Sequence, residues 1–213
     1  MAVAFAAGQP GAGPLDGDGL APMQQLAAQR YGQPAEARLA AWRATLADAR
    51  SASVERQLVL VNGFFNRQIR FDDDLTVWGE RDYWASPLET LGRGAGDCED
   101  FTIAKYASLR LLGVPNERLR LIYVRARLGG PAGVDQAHMV LGYYPAPAAE
   151  PLILDNLIDE IRPASRRPDL FPIFSFNSEG LWVGDAASSS ADPTARLSRW
   201  RAVLERMRDE GLR

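Results

Sequence analysis

The sequence predicts an α+β fold, and three observations predict it. From about Met23 to Leu112 the apolar residues recur at steps of three and four, the spacing of helices with one buried face. From Leu119 to Leu157 they gather into three shorter runs of strand type. Helices first and strands afterwards, without alternation, is the order of an α+β chain rather than a βαβ one. The third observation is that the chain's one cysteine and one histidine fall on opposite sides of that change.

The helical half is read element by element. Ala35 to Ala49 carries Leu39, Trp42 and Leu46 on one face. Ser53 is placed as an N-cap for Val54 to Arg70, with Leu58, Val61, Phe65 and Ile69 in one stripe. Asp72-Asp73-Asp74 ends that helix and reads as a solvated acidic loop. Ser86-Pro87-Leu88-Glu89 has the features of a helix start: Ser at the cap, Pro at the first position and Glu at the third. A Gly-rich stretch, 92–96, then breaks the chain before a helix from Cys98 to Leu112, stopped by Gly113-Val114-Pro115.

The strand candidates are Leu119–Arg127, Ala137–Tyr144 and Pro151–Leu157. The connection 145–150 is short enough for an antiparallel hairpin. Wherever paired residue numbers sum to an odd value, His138 and Asp155 face the same side, opposite or diagonal to each other. After them, 184–191 is a linker of small residues, and Asp192-Pro193 opens a final helix, 192–213, with Leu197, Trp200, Leu204 and Met207 in one stripe. Residues 1–22 read as a disordered N-terminus or a signal remnant, Ala4-Phe5-Ala6 fitting a small-x-small cleavage site.

Composition narrows the function. With 46% apolar residues the chain has enough for a core. A net charge of −3 gives no electrostatic case for nucleic acid or an anionic membrane, and no run reaches the ~18 apolar residues of a membrane span. One cysteine excludes an internal disulfide.

Cys98 at a helix start, His138 on a strand and Asp155 after another strand suggest a thiol hydrolase or acyl transferase. The helix N-terminus favours the thiolate, His138 takes and returns the proton, and Asp155 orients the imidazole. Trp84 is an additional candidate donor to an oxyanion. Each residue also has a structural reading: a small buried apolar cysteine, a strand histidine, a turn-forming aspartate. The acidic neighbours oppose ionisation. One carboxylate at about 6 Å and an effective dielectric of about 20 costs a thiolate roughly 2–3 kcal/mol, against roughly 0.3–1 kcal/mol from an exposed helix dipole. A divalent cation on hard oxygen ligands removes that cost and points to Ca²⁺. The competing reading makes Asp97 an N-cap, Asp100 its partner at the third position and Glu99 solvated.

The run from Asp82 to Phe101, ending Gly94-Ala95-Gly96-Asp97-Cys98-Glu99-Asp100-Phe101, resembles the bacterial transglutaminase-like cysteine proteinases, and within them the LapG-type periplasmic proteases. Gln136-Ala137-His138-Met139-Val140-Leu141, Leu154-Asp155-Asn156-Leu157 and Phe174-Ser175-Phe176-Asn177 carry the same likeness. The resemblance implies a papain/transglutaminase-like fold, a helical lobe (about 23–112) packed on an antiparallel-sheet lobe (about 119–183). It implies a triad of Cys98, His138 and Asp155, and calcium ligands at Asp97 and Glu99 with Asp100 a further one. It also implies a periplasmic calcium-dependent endopeptidase that cuts a large surface adhesin near its N-terminus and so disperses biofilm. The implied partner is an inner-membrane cyclic-di-GMP receptor of the LapD type, which sequesters the protease. A transglutaminase-type acyl transferase and a silent calcium-binding scaffold are the alternatives. The Gly-rich segment 128–135 is longer than the connection is expected to be in such proteins.

Overall fold

The computed structural model describes residues 20–130, 132–184 and 192–212. Residues 1–19 of the proposed N-terminal segment and 185–191 of the proposed linker lie outside those residues. Helix α1 (Ala21–Tyr31) begins two residues before the expected point, with Leu20, Met23 and Ala27 buried. Helix α2 (Gln33–Ala49) buries Leu39, Trp42 and Leu46 as their spacing predicts. Helix α3 (Val54–Gln68) starts at its predicted cap, where the Ser53 side chain accepts from the Arg56 N–H.

Helix α3 ends before Arg70 because the next residues are drawn into a parallel pairing. Strand β1 (Arg70–Phe71) pairs with β2 (Ala95–Gly96), and the Asp72 N–H donates to the Gly96 carbonyl at 3.0 Å. That short ladder fixes the acidic run 72–74 beside the segment leading into the cysteine helix. The run is not a loop: Asp73 caps helix α4 (Asp74–Trp78), accepting from the Thr76 N–H at 3.0 Å. Helix α5 (Pro87–Arg93) has the predicted reciprocal capping box of Ser86 and Glu89.

Helix α6 (Cys98–Leu111) is the central helix, buried along nearly its whole length. The Trp42 indole N–H donates to Ser108 Oγ at 2.8 Å and ties α2 to it. One antiparallel six-stranded sheet, in the order β6-β5-β4-β3-β7-β8, packs against α6. Its strands are β3 (Leu119–Leu128), β4 (Val134–Tyr143), β5 (Leu152–Leu154), β6 (Arg162–Pro163), β7 (Leu170–Phe176) and β8 (Leu181–Val183). Leu121, Met139, Leu141, Leu154 and Phe176 join the main core with α6, while Ile122, Val124, Val140 and Ile153 form a smaller cluster.

Strand β3 matches its predicted run, β4 starts three residues before its own, and β5 keeps only Leu152–Leu154 of the predicted Pro151–Leu157. Strands β6 and β8 are too short to carry an alternating pattern, and β7 holds Pro172 beside a register irregularity in its pairing with β3, which hides its periodicity. The predicted final helix is two, α7 (Pro193–Arg196) and α8 (Ser198–Asp209), broken at Leu197. Helix α8 is part of the main body. Trp200 and Val203 sit fully buried in the main core, and the Trp200 indole donates to the Asn177 carbonyl at 3.0 Å. Among the described residues, no helix is long and apolar enough to cross a membrane.

Candidate active site

Cys98 is the first residue of α6. Asp97 is its N-cap, accepting from the Glu99 N–H at 3.2 Å. Asp100 does not complete a capping box. Its Oδ1 instead accepts from the Ala85 N–H at 2.7 Å, across the site. Glu99 is not free in solvent either, since the Cys98 thiol donates to its Oε2 at 2.7 Å. Burial pushes the thiol pKa up, the Glu99 and Asp97 carboxylates push it further, and the backbone N–H of Met139 pulls the other way. With these neighbours alone the sulfur holds its proton.

His138 lies within β4, and β5 pairs with β4 so that Leu141 faces Leu154, an odd sum. The predicted parity therefore holds. His138 and Asp155 are diagonal neighbours, and Nε2 lies 2.8 Å from Oδ1 in a buried contact. The carboxylate is well supplied with donors. The Leu157 N–H reaches Oδ1 at 3.0 Å and Arg167 Nη2 reaches Oδ2 at 2.7 Å. Burial alone would raise the Asp155 pKa, but His138, the Leu157 N–H and Arg167 together hold it at about 2. An ionised carboxylate only accepts, so Nε2 carries the hydrogen and Nδ1 presents the lone pair.

The structure thus brings His138 and Asp155 into contact and sets the Cys98 sulfur against the N–H of Met139, the residue after His138. The thiol hydrogen bond itself goes to Glu99. Trp84 is not positioned as an oxyanion donor: its indole N–H donates to Asp82 at 3.1 Å and its ring stacks on Phe176.

Two residues escaped the sequence reading. Asp74, read as solvated, is buried, and carboxylate oxygens of Asp74, Asp97 and Asp100 lie within 4.8 Å of one another. The β1–β2 pairing brings it there and the Tyr83 N–H, donating to Asp74 Oδ2 at 2.6 Å, holds it, so nothing local in the acidic run could have signalled it. Arg167 is the other: it sits in Arg166-Arg167-Pro168-Asp169, which reads only as a turn.

The donor set fits a hard cation. Asp74 Oδ1 and Asp100 Oδ2 are buried without a hydrogen-bond partner. The charges acting on the three carboxyls are other carboxylates. Burial and that mutual repulsion raise Asp97 to about 9, Asp100 to about 8 and Asp74 to about 6. Gly96 belongs to the cradle, because a Cβ there would collide with the Asp100 carboxylate. Asp97, Cys98 and Glu99 form an overlapping group of potential ligand atoms. Oxygen ligands of this number and charge suit Ca²⁺.

The chain is similar to known proteins over most of its length. The family model described as bacterial transglutaminase-like cysteine proteinase matches residues 30–183. Among solved structures, EGTA-treated LapG of Legionella pneumophila is 42% identical, with a TM-score of 0.77 over 88% of this chain and 97% of that one. Its calcium-bound form is 41% identical, with a TM-score of 0.76 over 88% and 98%. No curated protein gives a significant match.

Proposed function

Because the chain belongs to the bacterial transglutaminase-like cysteine proteinases, we propose that it is a calcium-dependent periplasmic endopeptidase that works through Cys98, His138 and Asp155. The observation that carries this reading is a cysteine on the first turn of a buried helix, beside a strand whose histidine is already paired with a buried carboxylate. Its substrate is a large surface adhesin, cut near the N-terminus so that the adhesin leaves the cell and biofilm disperses. An inner-membrane cyclic-di-GMP receptor of the LapD type holds the protease back.

In the reaction, His138 Nδ1 accepts the Cys98 proton and Asp155 stabilises the imidazolium. The thiolate adds to the scissile carbonyl, and N–H groups at the start of α6 face the developing oxyanion. The tetrahedral adduct expels the amine, which takes its proton from His138, leaving an acyl-thioester on Cys98. Water then attacks with His138 as base, releasing the acid and the free thiol.

Asp74, Asp97, Glu99 and Asp100 would hold Ca²⁺, whose charge neutralises the carboxylates that otherwise suppress the thiolate. The calcium-bound state of LapG from Legionella pneumophila supports this assignment. The Cys98 thiol donates to Glu99 Oε2 at 2.7 Å, a hydrogen bond that competes with proton transfer to His138.

The test is incubation with the N-terminal fragment of a co-encoded adhesin, in calcium and in excess chelator. The expected result is a single cleavage in calcium, abolished in chelator. Undiminished cleavage in chelator would remove the calcium requirement. No cleavage in either condition would remove the protease assignment for that substrate class.

A further inference from the structure

Asp155 is held from two sides, and only one of them belongs to the proposed triad. On the side away from His138, Arg167 Nη2 donates to Oδ2 at 2.7 Å. Arg167 is 4% exposed and its guanidinium is braced by Asp169: Nε lies 3.0 Å from Oδ1 and Nη2 lies 2.8 Å from Oδ2. We propose that Arg167 is a positioning residue, clamping the Asp155 carboxylate so that Oδ1 stays aimed at His138 Nε2–H. This inference rests on the proposed catalytic role of His138 and Asp155.

The energetics favour a positioning role over a merely stabilising one. A buried ion pair is weak support for stability, because taking both charges out of water costs nearly as much as their attraction returns. Arg167 also leaves Nη1 buried without a hydrogen-bond partner, an extra cost that packing alone would not explain. What the arrangement gains is direction. A carboxylate can rotate, and one held on Oδ1 alone, by the Leu157 N–H, can turn away from the imidazole. A planar guanidinium on Oδ2 removes that freedom, and Asp169, whose side chain is 38% exposed, anchors the guanidinium from the solvent side. The contacts thus run from Asp169 to Arg167 to Asp155 to His138, each partner held by the one before it.

The chain has one histidine, so its imidazole gives one unambiguous set of nuclear magnetic resonance signals. The experiment follows the Nε2–H proton in the full chain and measures its exchange with water, for the wild type, Arg167→Met and Arg167→Lys. The expected result is a protected, downfield proton in the wild type, with exchange about 10–100-fold faster in Arg167→Met, the size of one lost charge-assisted hydrogen bond, and intermediate in Arg167→Lys. Asp169→Asn, at a half-exposed site, serves if Arg167→Met does not fold, and should speed exchange in the same direction by a smaller factor. Exchange unchanged in every variant that folds would overturn the proposal. The measurement needs no turnover. Failure of the wild type to cleave any adhesin fragment would count against the protease reading alone, while unchanged exchange with intact cleavage would sink the clamp alone.

Discussion

One buried carboxylate, Asp155, and a cluster of three, Asp74, Asp97 and Asp100, sit within this one domain, and they are treated in opposite ways. Asp155 is surrounded by donors and protein-borne positive charge, and its pKa is held at about 2. Asp74, Asp97 and Asp100 have other carboxylates for charged company, Glu99 acting on all three, and burial with that repulsion raises them to about 6, 9 and 8. Burial is common to both, so burial does not decide the outcome; the sign of the neighbouring charge does. Beside Asp155 the chain supplies its own cation, Arg167. Around the cluster next to Cys98, the charged groups acting on the carboxyls are themselves carboxylates.

The largest expected effect breaks the link between both groups and catalysis. Cys98→Ala should lower cleavage by about 10⁴-fold or more while the melting temperature stays close to that of the wild type, because a small apolar side chain replaces a small buried one. Residual cleavage near the wild-type rate would mean the nucleophile lies elsewhere.

Asp155→Asn comes next. It should cost roughly 10³–10⁴-fold in rate through the lost imidazole partner. It should also destabilise by about 3–5 kcal/mol, because Arg167 then stays buried with half its counter-charge. Asp100→Asn is the contrasting variant. Measured in chelator at pH 9, it should raise the melting temperature, since it removes one of the mutually repelling carboxylates while its amide oxygen still accepts from the Ala85 N–H. The two asparagine substitutions moving stability in the same direction would refute the contrast between the groups.

A smaller effect sharpens the comparison through pH. The cluster carboxyls have folded pKa values above their unfolded ones, so the folded chain binds more protons, and in chelator stability should fall as pH rises from about 4 towards 9. Calcium offsets a cost that exists only when the cluster is ionised. Its stabilisation should therefore grow with pH, reaching about 5–10 °C at saturating ion near pH 8 and shrinking near pH 5. Thermal melts at the two pH values, with calcium and with chelator, check this; a pH-independent calcium shift would contradict it.

The smallest effect is the mirror image. Asp155 is depressed, so its contribution is fully present above about pH 4 and is lost as pH falls through about 2. Acid unfolding of the wild type should show that loss and Asp155→Asn should lack it.

What the sequence by itself determined is the local chemistry. Helix spacing placed α2, α3 and α6, cap residues placed the starts at Ser53 and Ser86, and strand parity put His138 and Asp155 on one side. These depend on residues a few positions apart, whose constraints are written in the chain's own period. Tertiary structure decided the rest. Asp74 reaches the cluster through a two-residue pairing with a segment more than twenty positions away, and Arg167 reaches Asp155 from a turn with no periodicity. Whether a carboxylate ends up solvated, repelled or clamped depends on charges that arrive from distant parts of the chain, and no local pattern records them.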